Sequence, residues 1–273
     1  MGSNRNFEKL RFDPNLFVKV GPASVFNMFD AEAEGLRELA AAMVIRVPEV
    51  IDCGVEGAEA FIALERIDFG ATNRESERQL GEQLAALHEC TARKFGWHRD
   101  NTIGLTPQRN TQSDDWRSFF REQRLEFQLE LAASKGYGGE IQSVGRKLAG
   151  KLSGFFDHYD PVPSLLHGDL WGGNWGAVDG EPVIFDPAVY YGDRESDIAM
   201  TKLFGGFGPA FYEAYDAAWP LEDGFEARLK LYQLYHVLNH LNLFGRAYHG
   251  QAISLMRSLL LTSGRGRGDV RPK

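Results

Sequence analysis

The part of this sequence that most restricts its possible folds is the segment from Leu165 to Asp197, LLHGDLWGGNWGAVDGEPVIFDPAVYYGDRESD. Residues 182–185 predict a short buried strand in a region where most of the surrounding pattern is helical. Asp169 and Asn174 precede this strand in a loop rich in glycine and aromatic residues, and Asp186 follows the strand. A fold for this chain therefore has to place two carboxylates and one amide around a single strand.

The spacing of these three side chains is typical of kinase-type phosphoryl-transfer sites. Asp169 could accept the proton of an attacking hydroxyl group, which makes it the candidate catalytic base. Asn174 and Asp186 offer the hard oxygen ligands that suit Mg²⁺ bound to nucleotide phosphates. Each residue alone could be an ordinary turn or capping residue. Together they favour a functional site.

A second candidate pair lies near the amino terminus. Lys19 belongs to the predicted strand 16–20, and Glu32 falls within the apolar stripe of the helix predicted over 27–43. A lone lysine on a strand is usually a solvated edge residue, but a carboxylate on a buried stripe requires a cation. Kinases use such a lysine–glutamate pair to hold the α- and β-phosphates of ATP.

The remaining pattern predicts an α+β fold with two lobes. Residues 1–66 form a small β-rich lobe with one helix, in which strands at 7–12 and 16–20 make a hairpin and further strands follow at 50–53 and 60–65. Residues 67–261 form a large, mainly helical lobe that carries the candidate site, and residues 262–273 form a basic, disordered tail. Helices in the large lobe are expected at 74–91, 114–134, 141–157, 197–203, 209–217, 226–246 and 251–261.

Three features have two possible interpretations. Trp171 is either a core residue or a flat wall of an acceptor pocket. The polar stripe of Gln233, His236 and His240 is either a solvated helix face or a pocket wall, and Val237 stands where a zinc-binding HExxH motif needs glutamate. Asp197 either caps a helix or supports the loop of Asp169 from behind.

Composition argues against several classes of protein. The formal net charge of −8 does not fit a nucleic-acid binder. No apolar run approaches the roughly 20 residues that span a bilayer, and the first residues contain no signal-peptide core. Two cysteines give neither a disulfide framework nor metal-ligand spacing. We therefore expect a cytoplasmic enzyme, monomeric or weakly homodimeric, with neither nucleic acid nor membrane as a partner.

With these residues identified, the chain closely resembles the fructosamine kinase (ketosamine 3-kinase) family, part of the aminoglycoside phosphotransferase and protein-kinase-like superfamily. HGD alone would mark only the superfamily, whereas HGDLWGGN together with DPAVYYGDRE is specific to the family. The resemblance extends from about residue 5 to 261, and other matching stretches are LFVKV, MFDAEAEGL, LGEQLAALH, NTIGLTPQ and LYQLYHVLNHLNLFG.

The resemblance implies ATP- and Mg²⁺-dependent phosphorylation of the 3-hydroxyl group of a ketosamine, either a fructosamine or a ribulosamine adduct, small or protein-bound. The phosphorylated adduct then breaks down and frees the amine, which is a deglycation or repair role. Carried over by motif, the site residues are the base Asp169, the Mg²⁺ ligands Asn174 and Asp186, the phosphate-positioning pair Lys19 and Glu32, the adenine-binding hinge from Glu65 to Ile67, and Trp171 and His240 in the sugar pocket.

The amino terminus departs from the family pattern. Kinases of this shape cover the phosphates with a first strand and a glycine-rich loop, whereas 18 residues precede Lys19 here. We expect the first strand and part of the loop to be missing, with weak ATP affinity and an edge able to pair with another chain. Two alternatives stay open: an aminoglycoside- or choline-type small-molecule kinase, and a non-catalytic nucleotide- or sugar-binding protein.

Overall fold

The computed structural model describes residues 7–262, and they begin with a small antiparallel sheet. Its strands are β1 (Leu16–Pro22), β2 (Val50–Glu56) and β3 (Glu59–Glu65), in the order β1-β3-β2. A short helix α1 (Phe7–Arg11) precedes β1, and helix α2 (Phe26–Ala41) connects β1 to β2 and packs against β2 and β3. The predicted helix and the strands at 16–20, 50–53 and 60–65 are therefore confirmed.

The predicted strand at 7–12 is wrong, because these residues form α1. A strand would direct Phe7 and Leu10 to opposite faces, whereas a helix puts residues three apart on one face. Both side chains are buried against Phe61 and Ala63 of β3, and the rings of Phe7 and Phe61 stack with centroids 4.6 Å apart. Residues 13–15 turn the chain into β1, and the hairpin predicted for 7–12 and 16–20 does not form.

The rest of the chain is mainly helical, in the predicted order. The helix predicted over 114–134 contains a π-helical stretch (Phe120–Glu126), and the one predicted over 141–157 ends early and continues as a 3₁₀ turn (Leu152–Phe156). The elements are α3 (Arg74–His88), β4 (Asn101–Ile103), β5 (Thr106–Gln108), α4 (Trp116–Phe119), α5 (Phe127–Ser134), α6 (Glu140–Ala149), β6 (Ser164–Leu166), β7 (Trp175–Val178), β8 (Glu181–Ile184), β9 (Tyr190–Gly192), α7 (Glu195–Leu203), α8 (Pro209–Ala218), α9 (Phe225–Phe244) and α10 (His249–Thr262).

Three short antiparallel strand pairs lie among these helices: β4 with β5, β6 with β9, and β7 with β8. The strand predicted at 182–185 is β8, and the other five strands were not predicted. Each has only three or four residues, which is too short for an alternating pattern to stand out. The pairs β6–β9 and β7–β8 bracket the loop that carries Asp169, so they decide where the candidate site residues meet.

A single buried cluster joins the sheet to the helices. It includes Leu36 of α2, Ile62 of β3, Leu84 of α3, Phe211 of α8 and Leu238 of α9. A smaller cluster lies between α1 and the sheet. Helix α2 and the later helices pack in the same buried cluster. Side chains that lie between them are therefore held by the core on both sides.

Some sequence predictions concern the limits of the described chain. Thr262, the first residue of the predicted tail, is the last residue of α10, and residues 263–273 lie outside the described residues. Residues 1–6, at the terminus where the first strand and part of the phosphate loop were expected to be missing, also lie outside them. Between residues 7 and 262, no helix has the length and apolar character needed to cross a membrane.

The contact between α3 and α8 depends on a glycine and generates a prediction. A Cβ atom added to Gly81 would collide with the carbonyl oxygen of Phe211 and lie 3.1 Å from the backbone nitrogen of Tyr215. Because both obstacles are backbone atoms, Gly81→Ala should lower the free energy of unfolding by about 2 kcal/mol or more. Urea denaturation followed by circular dichroism measures the change.

The matched control is Gly250→Ala near the start of α10, where a Cβ atom meets nothing within 4 Å. That variant should keep the wild-type midpoint or raise it slightly, because alanine favours a helix. Equal loss of stability in the two variants would contradict the proposed close approach of the helices.

Candidate active site

The loop that carries Asp169 approaches the segment after β8 so closely that only glycine fits between them. Gly168 has a φ angle of +83°, and a Cβ atom there would collide with the carbonyl oxygen of Ala188. The backbone nitrogen of Ala188 donates to the carbonyl oxygen of His167 at 2.8 Å. As a result, Asp169 and Asp186 line one cavity although 17 positions separate them in the sequence.

The buried carboxylate of Asp197 supports this loop from behind. It accepts hydrogen bonds from the backbone nitrogens of His167 at 2.8 Å and Gly168 at 2.9 Å. A third contact of the carboxylate is with Nε2 of His88, at 3.2 Å. Burial raises the pKa of Asp197, but the hydrogen bonds and charge of its partners outweigh burial and lower it. Of the two interpretations of Asp197, loop support is the one observed, since α7 begins at Glu195.

Asn174 ties the loop to the end of β8. Its Nδ2 group donates to the carbonyl oxygens of Asp169 at 2.8 Å and Asp186 at 3.4 Å. Its carboxamide oxygen accepts no hydrogen bond from residues 7–262, so it remains available to a ligand. Asp186 has a φ angle of +55°, a left-handed conformation that aspartate adopts more readily than most residues. Asn174 and Asp186 therefore line the same cavity.

Lys19 links the sheet to this region. Its Nζ atom lies 2.7 Å from Glu32 Oε1 on α2 and 2.6 Å from Asp186 Oδ1. Burial lowers the pKa of Lys19, but the two carboxylates outweigh burial and raise it, so the side chain is a cation at neutral pH. The ion pair expected between Lys19 and Glu32 is present, and its extension to Asp186 was not expected.

Helix α2, which carries Glu32, is held on another face by His98 and Arg99, which precede β4. Arg99 Nη1 lies 2.6 Å from Asp30 Oδ2 and 2.8 Å from Glu34 Oε2, and His98 Nε2 lies 2.6 Å from Glu34 Oε1. We refer to these four residues as the α2 clamp. The clamp fixes the position of α2, and hence of Glu32, relative to the later part of the chain.

Two neighbouring cavities contain most of the predicted site residues. One, of about 310 Å³, is here named the polar cavity and is lined by Lys19, Glu32, Asp169, Trp171, Asn174 and Asp186, together with residues of α2 and the β4–β5 turn. The other, of about 480 Å³, is named the aromatic cavity and is lined by Asp169, Trp171, Met200, Phe204, Asn239, His240, Leu243, Phe244, Tyr248 and Gly104. Asp169 and Trp171 line both.

The structure separates the predicted hinge residues from these cavities, since neither Glu65 nor Ile67 lines them. The Glu65 carboxylate lies 2.6 Å from Arg46 Nη2, and the backbone N–H of Ile67 has no partner within residues 7–262. Trp171 and His240 are pocket walls, whereas His236 of the same predicted stripe is buried.

Sequence reasoning missed the β4–β5 turn and several walls of the aromatic cavity. Asn101, Thr102 and Leu105 line the polar cavity, and the stretch NTIGLTPQ had been singled out without a role. Phe204 and Tyr248 lie in segments separated by 44 positions. No local pattern connects such residues, so only the packing of α7, α9 and α10 could reveal them.

The electrostatics of the site favour proton acceptance at neutral pH. Burial, together with the negative charges of Asp197 and Asp186, raises the pKa of Asp169 to about 7. A carboxylate with such a pKa can take up and release a proton near neutrality. The described residues contain no group of three histidine, cysteine or acidic side chains able to hold a metal. Asn174 and Asp186 instead fit Mg²⁺, which takes few protein ligands and completes its shell with phosphate oxygens and water.

Comparison with known proteins identifies relatives over nearly the whole chain. The family model described as fructosamine kinase matches residues 6–262. A probable ketoamine kinase of Synechocystis sp. is 46% identical over 247 residues, which cover 89% of this chain and 82% of the relative. The chloroplastic protein-ribulosamine 3-kinase of Arabidopsis thaliana is 43% identical over 255 residues, covering 90% and 76%.

Solved structures agree with these relatives. A candidate fructosamine-3-kinase of Haemophilus somnus has 33% identity and a TM-score of 0.83, and the match covers 90% of this chain and 83% of that one. A choline/ethanolamine kinase family protein of Mesorhizobium loti has 18% identity and a TM-score of 0.58, over 90% and 82% of the two chains, and thus shares the fold alone. The fold is the protein-kinase-like α+β fold that the sequence predicted.

The raised pKa of Asp169 predicts how stability depends on pH. Its ordinary pKa is 3.8 and its folded pKa is about 7, so the folded state holds the proton more tightly than the unfolded chain. Stability from this group is fully present below the ordinary pKa and is lost as pH rises to about 7. In metal-free buffer, Asp169→Asn should therefore be more stable than the wild type above pH 7, by up to about 4 kcal/mol.

Urea denaturation across pH 5 to 9, with a chelator present, measures this difference. The gain should shrink as pH falls toward the ordinary pKa of the group. A difference that is constant with pH would show that the asparagine acts through packing rather than through charge.

Proposed function

Because the chain belongs to the fructosamine kinase family, we propose that it transfers a phosphoryl group from ATP to the 3-hydroxyl group of a ketosamine. The observation that carries this proposal is the convergence of Lys19, Glu32, Asp169, Asn174 and Asp186 on one cavity. A ketosamine is a sugar joined to an amine by glycation, so the activity would serve deglycation. Ribulosamine and fructosamine adducts, small or protein-bound, are the proposed acceptors.

Each side chain of the polar cavity has a proposed part in the reaction. Asp169 accepts the proton of the attacking hydroxyl group, and its pKa of about 7 suits that task. Lys19, held by Glu32, positions the phosphates of ATP. Asn174 and Asp186 would hold Mg²⁺, which neutralises charge on the transferred group when it is bound. Lys19 also contacts Asp186, so we expect this contact to loosen when the metal and nucleotide bind.

The adenine site and the division into lobes are also proposals. We place adenine at the hinge between Glu65 and Ile67, because the backbone N–H of Ile67 is free within residues 7–262 and lies just after β3. Residues up to 66 would cover the nucleotide and residues 67–261 would hold the acceptor. A cytoplasmic location and a monomer or weak homodimer remain predictions from composition.

The alternative acceptors have weaker support. Aminoglycoside- and choline-type kinases share the fold at under 25% identity, which gives no information on the substrate. A non-catalytic binder is disfavoured because the loop around Asp169 is complete and supported by Asp197. Trp171 and His240 are proposed to contact the sugar, since both line the aromatic cavity next to Asp169.

Turnover of ATP with fructosyl-lysine and ribulosyl-lysine tests the proposal. The wild type should phosphorylate at least one of them at the 3-hydroxyl group, as identified by ³¹P and ¹³C NMR of the product. Asp169→Asn should lower kcat by about a hundredfold or more, because the general base is lost. Asp157→Asn, at an exposed aspartate outside both cavities, is the matched control.

Three results are distinguishable. Turnover of another alcohol but of no ketosamine would replace the acceptor while keeping the kinase. Nucleotide binding without turnover of any acceptor would favour the non-catalytic alternative. Equal kcat in Asp169→Asn and the wild type would remove Asp169 from its proposed role.

The α2 clamp leads to a prediction about ATP binding. Arg99→Ala removes the guanidinium group shared by Asp30 and Glu34, so α2 should hold Glu32 against Lys19 less firmly. We expect KM for ATP to rise about fivefold, which corresponds to about 1 kcal/mol. Arg99→Lys should keep KM for ATP closer to the wild-type value than Arg99→Ala does. Arg93→Ala, at an exposed arginine outside the clamp, is the matched control and should keep the wild-type KM. An unchanged KM for ATP together with lower stability would limit the clamp to a structural role.

A further inference from the structure

The aromatic cavity has a charge character that restricts what can bind there. Among the described residues that line it, Asp169 is the one acidic side chain, and none is a lysine or an arginine. Burial lowers the pKa of His240, so its ring is neutral at pH 7. The polar cavity on the other side of Asp169 is lined by Lys19, Glu32 and Asp186, and in the proposed function the phosphates and Mg²⁺ occupy it. Because the lining of the aromatic cavity presents no basic side chain, it does not repel a positively charged ligand group, and the carboxylate of Asp169 attracts one.

Aromatic rings make up most of one wall of this cavity. The ring of His240 is 4.7 Å from Phe204, 5.3 Å from Phe244 and 5.1 Å from Tyr248, measured between centroids. Nδ1 of His240 donates a hydrogen bond of 2.8 Å to the carbonyl oxygen of His236. This bond fixes the orientation of the ring. Ring faces attract organic cations, and clusters of such rings bind alkylammonium groups.

An unpaired acceptor lies beside the rings. The side chain of Asn239 is 2% exposed and lines the aromatic cavity, and its Oδ1 atom has no hydrogen-bond partner within residues 7–262. A buried carbonyl oxygen without a donor is costly, at about 1–3 kcal/mol. An N–H donor of a ligand in this cavity would satisfy it.

The covalent structure of the proposed substrate connects these observations. In a ketosamine the nitrogen is bonded to carbon 1 and the reacting hydroxyl group to carbon 3, so the two groups are close neighbours. When the hydroxyl group lies at Asp169 and the phosphoryl donor occupies the polar cavity, the aromatic cavity, which Asp169 also lines, offers space for the nitrogen. This nitrogen is a secondary alkylamine and is protonated at neutral pH, as the amine of lysine is.

We propose that the aromatic cavity is a subsite for the protonated amine of the ketosamine, and that it selects cationic N-alkyl adducts over uncharged sugars. The ammonium group lies against the rings of Phe204, His240, Phe244 and Tyr248 and donates to Asn239 Oδ1. Phe204 and Phe244 are 42% and 66% exposed, so the alkyl arm can leave the cavity between them toward solvent. This inference rests on the proposed function and assigns a specificity to the same site.

A pair of nearly isosteric acceptors tests the proposal: fructosyl-methylamine, which carries the ammonium group, and 1-O-methyl-fructose, which has an ether oxygen in its place. The wild type should have a KM about tenfold lower for the ammonium compound. Tyr248→Leu and Phe244→Leu should each reduce this ratio about threefold, whereas Tyr248→Phe, which keeps the ring, should retain it. Asn239→Leu should also reduce the ratio, and circular dichroism confirms that each variant is folded.

Calorimetric titration of both compounds, with a non-hydrolysable ATP analogue and Mg²⁺ present, gives a readout independent of turnover. Tighter binding of the ammonium compound, weakened in the ring variants, supports the subsite. Equal affinity of the two compounds for the wild type, or an unchanged ratio in both leucine variants, overturns it. A wild type that prefers the ammonium compound in the titration but phosphorylates neither compound would contradict the proposed function while leaving the subsite intact.

Discussion

The geometry of the site depends on one buried carboxylate. Asp197 accepts hydrogen bonds from the backbone nitrogens of His167 and Gly168, and these bonds hold the residue just before Asp169 in place. A carboxylate that accepts backbone hydrogen bonds in a dry interior is held firmly, because leaving any of these groups unpaired is costly. The carboxylate also contacts Nε2 of His88, and Nδ1 of His88 contacts the hydroxyl group of Tyr215. The loop that carries Asp169 is thus anchored to helices α3, α7 and α8.

The same arrangement sets the electrostatics of the candidate site. Asp197 and Asp186 both place negative charge near Asp169, and with burial they raise its pKa to about 7. This makes Asp169 a better proton acceptor at neutral pH, at some cost to stability. Lys19 offsets part of the negative charge from the sheet side. The pKa of Asp169 therefore depends on charges that lie on different elements, and it is a property of the assembled site rather than of any one element.

Much of the fold and site could be inferred from sequence where the signal is local. Glu32 was found because one charged residue interrupts an apolar stripe with helical period, and its contact with Lys19 is present. Asp169, Asn174 and Asp186 were singled out because their spacing within one segment matches that of kinase-type phosphoryl-transfer sites. Phe7 and Leu10 were wrongly assigned to a strand, since five residues are too few to distinguish a helical period from alternation and the deciding contact is with Phe61 on β3.

The sequence by itself determined the α+β fold class and the candidate site residues, because these depend on local periodicity and on spacing within single segments, and its motifs identified the family and the protein-kinase-like fold by resemblance. Only the tertiary structure decided the contact of Lys19 with Asp186, the α2 clamp and the aromatic cavity. These depend on side chains from distant segments, such as Phe204, Asn239 and Tyr248, that meet only after the helices pack. The physical reason is that burial and charge act over distances in space, whereas a sequence pattern reports only on neighbours along the chain.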